Sequence, residues 1–211
     1  MYRRILRTVL LPTGLALLAT ACGMGTEQLP SCEYASGNLL EDPGFLTLDV
    51  PRRERAWQFS QHAGDTSFRY DAKDGTLSFV KIGSEPWGLL TQDLNTARLK
   101  GKRVEFSAEL KLDLSEPGDT HGFGYGGGLT LLAKQINLAE NINKIRLSSS
   151  FDHDPHIGAH DWQRVSVVAD LPEGISYLRS GFVHKAGGKM QVRNPALRTV
   201  IAGCEPAVTG E

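Results

Sequence analysis

Basic charge in excess is missing from this chain. Its 211 residues carry 23 Lys+Arg against 24 Asp+Glu; residues 1–21 hold three of the arginines and no acid, so the remainder is 20 against 24, net −4. A mildly acidic protein has no electrostatic footprint for nucleic acid, and that class is excluded. Long helical patterns are missing too, as are internal repeats and low-complexity runs. Catalytic signatures are few: neither a G-x-S-x-G elbow nor H-E-x-x-H occurs. "GFGYGG" satisfies G-x-G-x-x-G at Gly122, Gly124 and Gly127, but the strand-like "GLTLL" follows it where a dinucleotide loop must open a helix. It reads as a loop or tight turn. Glu105 and Glu109 share a strand face, yet four residues at about 3.3 Å each put them about 13 Å apart, beyond the glycosidase window of roughly 5 to 9.5 Å. They read as a solvated face.

Cysteine is scarce, and each of the three has a reading. Arg3, Arg4 and Arg7 form a basic head, Val9–Leu18 an apolar stretch too short to span a membrane as a mature helix, and Ala19-Thr20-Ala21 leads into Cys22. This is an export signal, and a Cys directly after small residues resembles a bacterial lipoprotein signal, which implies acylation of Cys22 and cleavage before it. By the same resemblance, Gly23 after Cys22 implies the outer membrane. Cys32 and Cys204 flank the strand-rich region, and in an oxidising compartment a bridge between them is expected. Closing so long a loop is worth up to about 4 to 5 kcal/mol. Residues 22–37 read as a tether, and the nine residues between Cys22 and Cys32 reach about 30 Å at full extension.

Between those cysteines the period is two. In "VEFSAELKLDL", Val104, Phe106, Ala108, Leu110, Leu112 and Leu114 point one way and Glu105, Ser107, Glu109, Lys111 and Asp113 the other. That is an antiparallel strand with one face on a core and one in water. "GTLSFVKIG", "GLTLLAKQI", "QRVSVVADL", "SYLRSGFVH" and "KMQVRNPALRTVI" repeat the pattern, separated by Gly, Pro, Asp and Asn clusters. "LLAKQINLAENINKI" reads as strand plus loop. The expected fold class is all-β, an antiparallel β-sandwich of one domain over residues 38–204, with residues 205–211 as a flexible tail.

The order of landmarks resembles the galactose-binding-like jelly rolls that include carbohydrate-binding modules of the CBM4/9 type. Asn38-Leu39-Leu40-Glu41-Asp42-Pro43-Gly44-Phe45 is similar to that family's opening, Trp57 follows, and "GLLTQDLNTARLKGKRVEFSAELKLD" is similar to its Gln-bearing strand, Leu-x-Gly-Lys turn and long strand. "GAHDWQRVSVVADLPEG", "SGFVHKAGG" and "MQVRNPALRTV" complete the series. The resemblance implies a non-catalytic domain that binds a glycan or similar ligand at the cell envelope. The alternatives are an envelope structural or protein-interaction lipoprotein and, less favoured, a hydrolase; the fold alone does not choose among them.

Sugar binding needs aromatic platforms beside polar groups, because pyranose C–H faces stack on rings while their edges need donors and acceptors. Trp87 in "GSEPWG" and Tyr125 in "GFGYGG" are the candidate platforms, with Glu109 and Arg164 as flanking polar groups. Trp162 is expected to be scaffold, at the core or a hairpin corner, although it shares parity with the face opposite Val165, Val167 and Ala169 unless a bulge intervenes. No cofactor is expected. "FDHDPHIGAHD" (Asp152, His153, Asp154, His156, His160, Asp161) has metal-ligand chemistry but no regular spacing to aim it. Family members carry a calcium through an acidic residue after the opening Phe and an Asp in the last strand, where this chain has Leu46 and Asn194, and calcium is not expected.

Overall fold

A computed structural model describes residues 32–116, 122, 124–151, 154–205 and 208–209. The export signal, Cys22 and the tether as far as residue 31 lie outside the described residues, as do Asp152 and His153 of the His/Asp-rich loop. What is described is a sandwich of two sheets. One is seven-stranded, with β12 (Val208–Thr209), β9 (Gly158–Asp170), β6 (Arg103–Ser115), β11 (Gly187–Ala202), β4 (Thr76–Lys81) and β3 (Phe68–Lys73) side by side, and β1 (Glu33–Tyr34) joined to β11. The other is five-stranded, in the order β2 (Gln58–Gln61), β5 (Gly88–Leu94), β10 (Tyr177–His184), β7 (Gly127–Asn137), β8 (Ile142–Ser150). Strand neighbours are antiparallel except for the two-residue pairing of β12 with β9. This is an antiparallel jelly-roll sandwich, as the alternation predicts.

The core forms where the two inner faces meet. Val104, Phe106, Ala108, Leu110, Leu112 and Leu114 of β6 are all buried, and Leu90, Leu129, Leu131, Leu178 and Phe182 come down on them from the five-stranded sheet. Trp57 closes one side: it is fully buried, its ring lies 5.3 Å from Phe45 and 5.5 Å from Phe182, and its indole N–H donates to the Asp42 carbonyl at 2.8 Å. A large aromatic can be buried here because its one polar atom has a partner. The opening segment is pinned next to it by Gln92, whose side chain accepts from the Glu41 N–H at 2.8 Å and donates to the Glu41 carbonyl at 3.1 Å. Asp74 and Gly75, both at positive φ, make the two-residue turn between β3 and β4, the conformation that Asp-Gly favours in hairpins.

The strand-plus-loop reading of "LLAKQINLAENINKI" becomes a hairpin, β7 and β8, turning at residues 138–141. Three expectations need correction. The sandwich includes residues before 38, since β1 pairs with β11 and the Cys32–Cys204 bridge brings the two Cα atoms to 4.9 Å. The two residues of β1, Glu33 and Tyr34, are too few to show a period, so composition alone made them look like tether. Residues 208–209 of the expected tail add to the edge of β9. Finally, Trp162 is half-buried on the outer face of the seven-stranded sheet and not in the core. A bulge does occur there, with Leu110 opposite Gln163 but Leu112 opposite His160, and it leaves Asp161 and Trp162 together beside outward-facing Lys111.

The disulfide closes 172 residues of chain. Replacing both Cys32 and Cys204 by Ser is expected to lower unfolding stability by about 2 to 5 kcal/mol in urea titration while leaving the β-sheet circular dichroism spectrum intact. An unchanged midpoint would mean that the sheets alone hold the ends together.

Candidate functional site

The outer faces of the two sheets differ in chemistry. On the seven-stranded sheet the charges pair with one another. Glu109 accepts from Arg193 Nε at 2.7 Å and from the Asn194 amide at 2.8 Å, and these bonds hold its carboxyl below the usual range. The Arg193 guanidinium lies 4.2 Å from the Trp162 ring centre. One row along, Arg164 donates to Glu105 at 2.7 Å, and Tyr34 donates its hydroxyl to the same carboxylate from β1. Glu105 is therefore 2% exposed, a correction to its reading as solvated. A carboxylate this dry is tolerable because a guanidinium and a phenol meet it. These groups pair with one another across the face in a polar lattice.

The outer face of the five-stranded sheet is sparser and carries a depression of about 180 Å³ lined by Trp87, Leu89, Thr130, Ser150, Val183 and Lys185. Register explains the grouping. Leu89 is opposite Val183, Gly181 lies between Thr91 and Thr130, and Thr130 is opposite Ser150, so alternate residues of four adjacent strands face the same way. One glycine keeps the floor flat: a Cβ on outward-facing Gly181 would sit 2.2 Å from the Leu90 carbonyl oxygen. Trp87 stands at the rim, just before β5. Its carbonyl accepts from the His62 N–H at 3.2 Å, and the His62 ring meets the indole edge-on at 6.0 Å. His62 is in turn held by Glu85, 2.9 Å from its Nδ1. The Lys185 ammonium lies 5.2 Å from the Phe151 ring centre, and burial pushes its pKa down. The site thus offers an aromatic wall, an aliphatic floor, two hydroxyls and one cation. That combination suits a ring with an apolar face and hydroxylated edges.

Of the four residues singled out from sequence, the fold brings two to one rim and two to the far side of the sandwich. Trp87 and the Tyr125 backbone flank the end of β10, where Gly126 and Lys185 exchange backbone hydrogen bonds. Tyr125 is 37% exposed, but its hydroxyl donates to Glu116 at 3.0 Å, at the end of β6, and so leans toward the other sheet. Glu109 and Arg164 are on the polar lattice, behind the core from Trp87, and cannot flank it. Leu89, Thr130, Ser150, Val183 and Lys185 were not foreseen as site residues. The outward parity of "SGFVHK" carried a signal for Val183 and Lys185, but which strands lie beside it is not in the local pattern. Asn194, where the calcium Asp would stand, sits at positive φ and is bonded to Glu109. Asp42, in the opening segment, accepts from the Leu46 and Thr47 N–H groups and the Thr47 hydroxyl. Among the described residues no cluster of three or more His, Cys, Asp or Glu side chains could hold a metal.

No protein-family model and no curated protein matches the sequence. Solved structures do match the fold. A CBM4 carbohydrate-binding module superposes with TM-score 0.50 at 12% identity, covering 76% of this chain and 99% of its own. The chain is a carbohydrate-binding-module-like β-sandwich. The CBM22-1 xylan-binding domain of Paenibacillus barcinonensis Xyn10C also matches this module-like chain, at TM-score 0.45 and 13% identity over 82% of this chain and 97% of that one. The enzymatically active domain of bacteriophage CBA120 tailspike protein 4 matches at TM-score 0.49 and 12% identity, over 71% of this chain and only 20% of that one. At these identities the likeness is one of fold.

Directly beneath the groove, His184 is fully buried between Phe68 and Phe79, 5.4 and 5.3 Å from their ring centres. The Ala186 N–H donates to its Nδ1, so Nε2 carries the proton and faces the Gly188 carbonyl at 3.3 Å. Burial lowers its pKa to about 4 from 6.5. Because the folded value lies below the unfolded one, this stabilisation is complete above pH 6.5 and is lost as pH falls toward 4, about 3 kcal/mol in all. Urea titrations across that window are expected to show the loss, and His184→Gln to flatten it. A wild-type profile already flat between those values would show that folded His184 accepts a proton as readily as the unfolded chain.

Proposed function

We propose that this protein is exported, anchored to the outer membrane by lipid on Cys22, and binds a glycan non-catalytically in the groove beside Trp87. The observation that carries the glycan reading is the groove itself: an indole wall over an apolar floor with Thr130 and Ser150 hydroxyls at its edge, on the open face of a sandwich whose fold is that of carbohydrate-binding modules. Its shallowness and modest volume fit part of a sugar chain better than an enclosed small molecule, for which sites of roughly 300 Å³ or more are usual. The carboxylate pair on β6 supports the same reading. Glu105 and Glu109 are each engaged by an arginine, on the opposite face from the groove. The anchor reading is supported by the sequence from Arg3 to Cys22 and by the disulfide, which suits an oxidising compartment.

A glycan array probed with the protein tests the first part. Trp87→Ala is expected to weaken binding to the best ligand about tenfold or more, the loss of one ring stack, while costing about 1 kcal/mol of stability or less because the indole is only half-buried. A large drop in melting temperature would reassign Trp87 to scaffold, and unchanged binding would move the site elsewhere. Cys22→Ala is expected to release the protein into the soluble extracytoplasmic fraction. Continued extraction only by detergent would count against the lipid.

A further inference from the structure

The sandwich has two ends. β9 finishes at Asp170 opposite Arg103 at the start of β6, and residues 171–176 carry the chain from there to the start of β10, whose Tyr177 is opposite Lys134 near the end of β7. Glu33 is opposite Ala202, and Arg103 donates to the Cys204 carbonyl. The chain therefore enters at Cys32 at the same end as the tip of the β7–β8 hairpin. The groove, from Trp87 to Ser150, lies toward the opposite end. β6 alone, thirteen residues at about 3.3 Å each, spans about 40 Å between them.

Half of the exposed large apolar side chains among the described residues lie at the entry end. Leu138 at the hairpin apex is 89% exposed, Ile145 and Ile201 are each 63%, and Ile136 is 37%. The hairpin is braced and not loose. Asn137 caps its turn by accepting from the Ala139 and Glu140 N–H groups, and the Ser176 hydroxyl accepts from the Ile136 N–H and donates to its carbonyl. A leucine held almost wholly in water on a rigid apex gains nothing for the fold.

We infer that this end faces a phospholipid bilayer and that Leu138, flanked by Ile136 and Ile145 on the same hairpin, inserts into the headgroup–acyl boundary, with Ile201 of the other sheet exposed at the same end. This rests on the anchor reading above. The occupant is argued from the chain: the nine residues between Cys22 and Cys32 reach about 30 Å, less than the length of the sandwich, and they join it at the end that carries these side chains. Charge contributes less. Exposed Arg98, Lys100, Lys102 and Lys144 share the end with Glu140 and Glu173, so apolar contact is the driving term. Insertion orients the domain with its groove directed away from the membrane.

The test uses the full-length acylated protein, its lipid verified by mass spectrometry, in vesicles of phosphatidylethanolamine and phosphatidylglycerol. An environment-sensitive dye is placed on Leu138→Cys or, at the opposite end, on Ser84→Cys. The dye at 138 is expected to shift its emission to the blue and to lose most of its fluorescence when nitroxide-labelled lipid is included, while the dye at 84 is unaffected. Acylated protein with no quenching at 138, or equal quenching at both positions, overturns the inference and leaves the anchor standing. Absence of lipid on Cys22 overturns both. A blue shift that needs no vesicles and grows with protein concentration would assign the apex to a second copy of the chain and overturn the membrane contact.

Discussion

Six side chains on one face of β6, from Val104 to Leu114, fix the register of the strands around them. Burying a large aliphatic or aromatic side chain is worth about 1.5 to 3 kcal/mol, so this face alone contributes on the order of 10 kcal/mol. Sliding β6 by one residue would exchange those groups for Glu105, Ser107, Glu109, Lys111 and Asp113, and each unpaired charge taken into the core would cost several kcal/mol more. The alternative registers are thus separated from the native one by more than the whole net stability of a typical domain. β9 and β11 flank β6 over most of its length and inherit its register, and the five-stranded sheet must match the inner face that results.

Once the inner faces are fixed, so are the outer ones, and the two sheets resolve them differently. The central strands of the seven-stranded sheet put Glu105, Glu109, Arg164 and Arg193 within reach of one another, and local charge complementarity consumes them. Tyr34, from β1, reaches over the face to cover Glu105, and the Arg198 guanidinium lies 5.1 Å from its ring centre. The five-stranded sheet has glycines and small or aliphatic residues in the corresponding central rows, Gly128, Thr130, Gly181 and Val183. There the Thr130 hydroxyl donates to the Ser149 carbonyl, and charges pair only farther along the face, where Arg179 and Tyr177 donate to Asp93, which leaves a recess walled by Trp87.

This difference explains what could be read from the sequence. The alternation in "VEFSAELKLDL" reports which residues of one strand share a face, and every inward residue it named is buried. The bridge between Cys32 and Cys204 was legible from compartment and placement. Of the candidate groove, only Trp87 was singled out from the sequence. Glu109 and Trp87 are both outward-facing in the local pattern, and nothing local says that they face outward from different sheets. That is decided by strand order, β6 in one sheet and β5 in the other, over sequence distances that a period of two does not span. Trp162 failed for another reason: its parity with Arg164 places it outward, as found, and the expectation of burial came from its size and from the resemblance, not from the alternation.

Position along the strands has a consequence that face alone does not. The chain enters next to its own C-terminal segment because the bridge holds Cys32 against Cys204, so any attachment upstream pulls on one end of the sandwich. The Trp87 groove is displaced toward the other end, and its wall is fixed by His62 and Glu85 from loops at that end. Were Cys22 held at a membrane as proposed, the nine residues up to Cys32, about 30 Å at full extension, would keep the entry end near it, and the long axis of β6 would set how far away the groove can stand. A ligand attached to the same surface could reach such a groove only by rising along the domain. The arrangement favours one presented from beyond it, such as a polymer extending past the surface or carried by an apposed one.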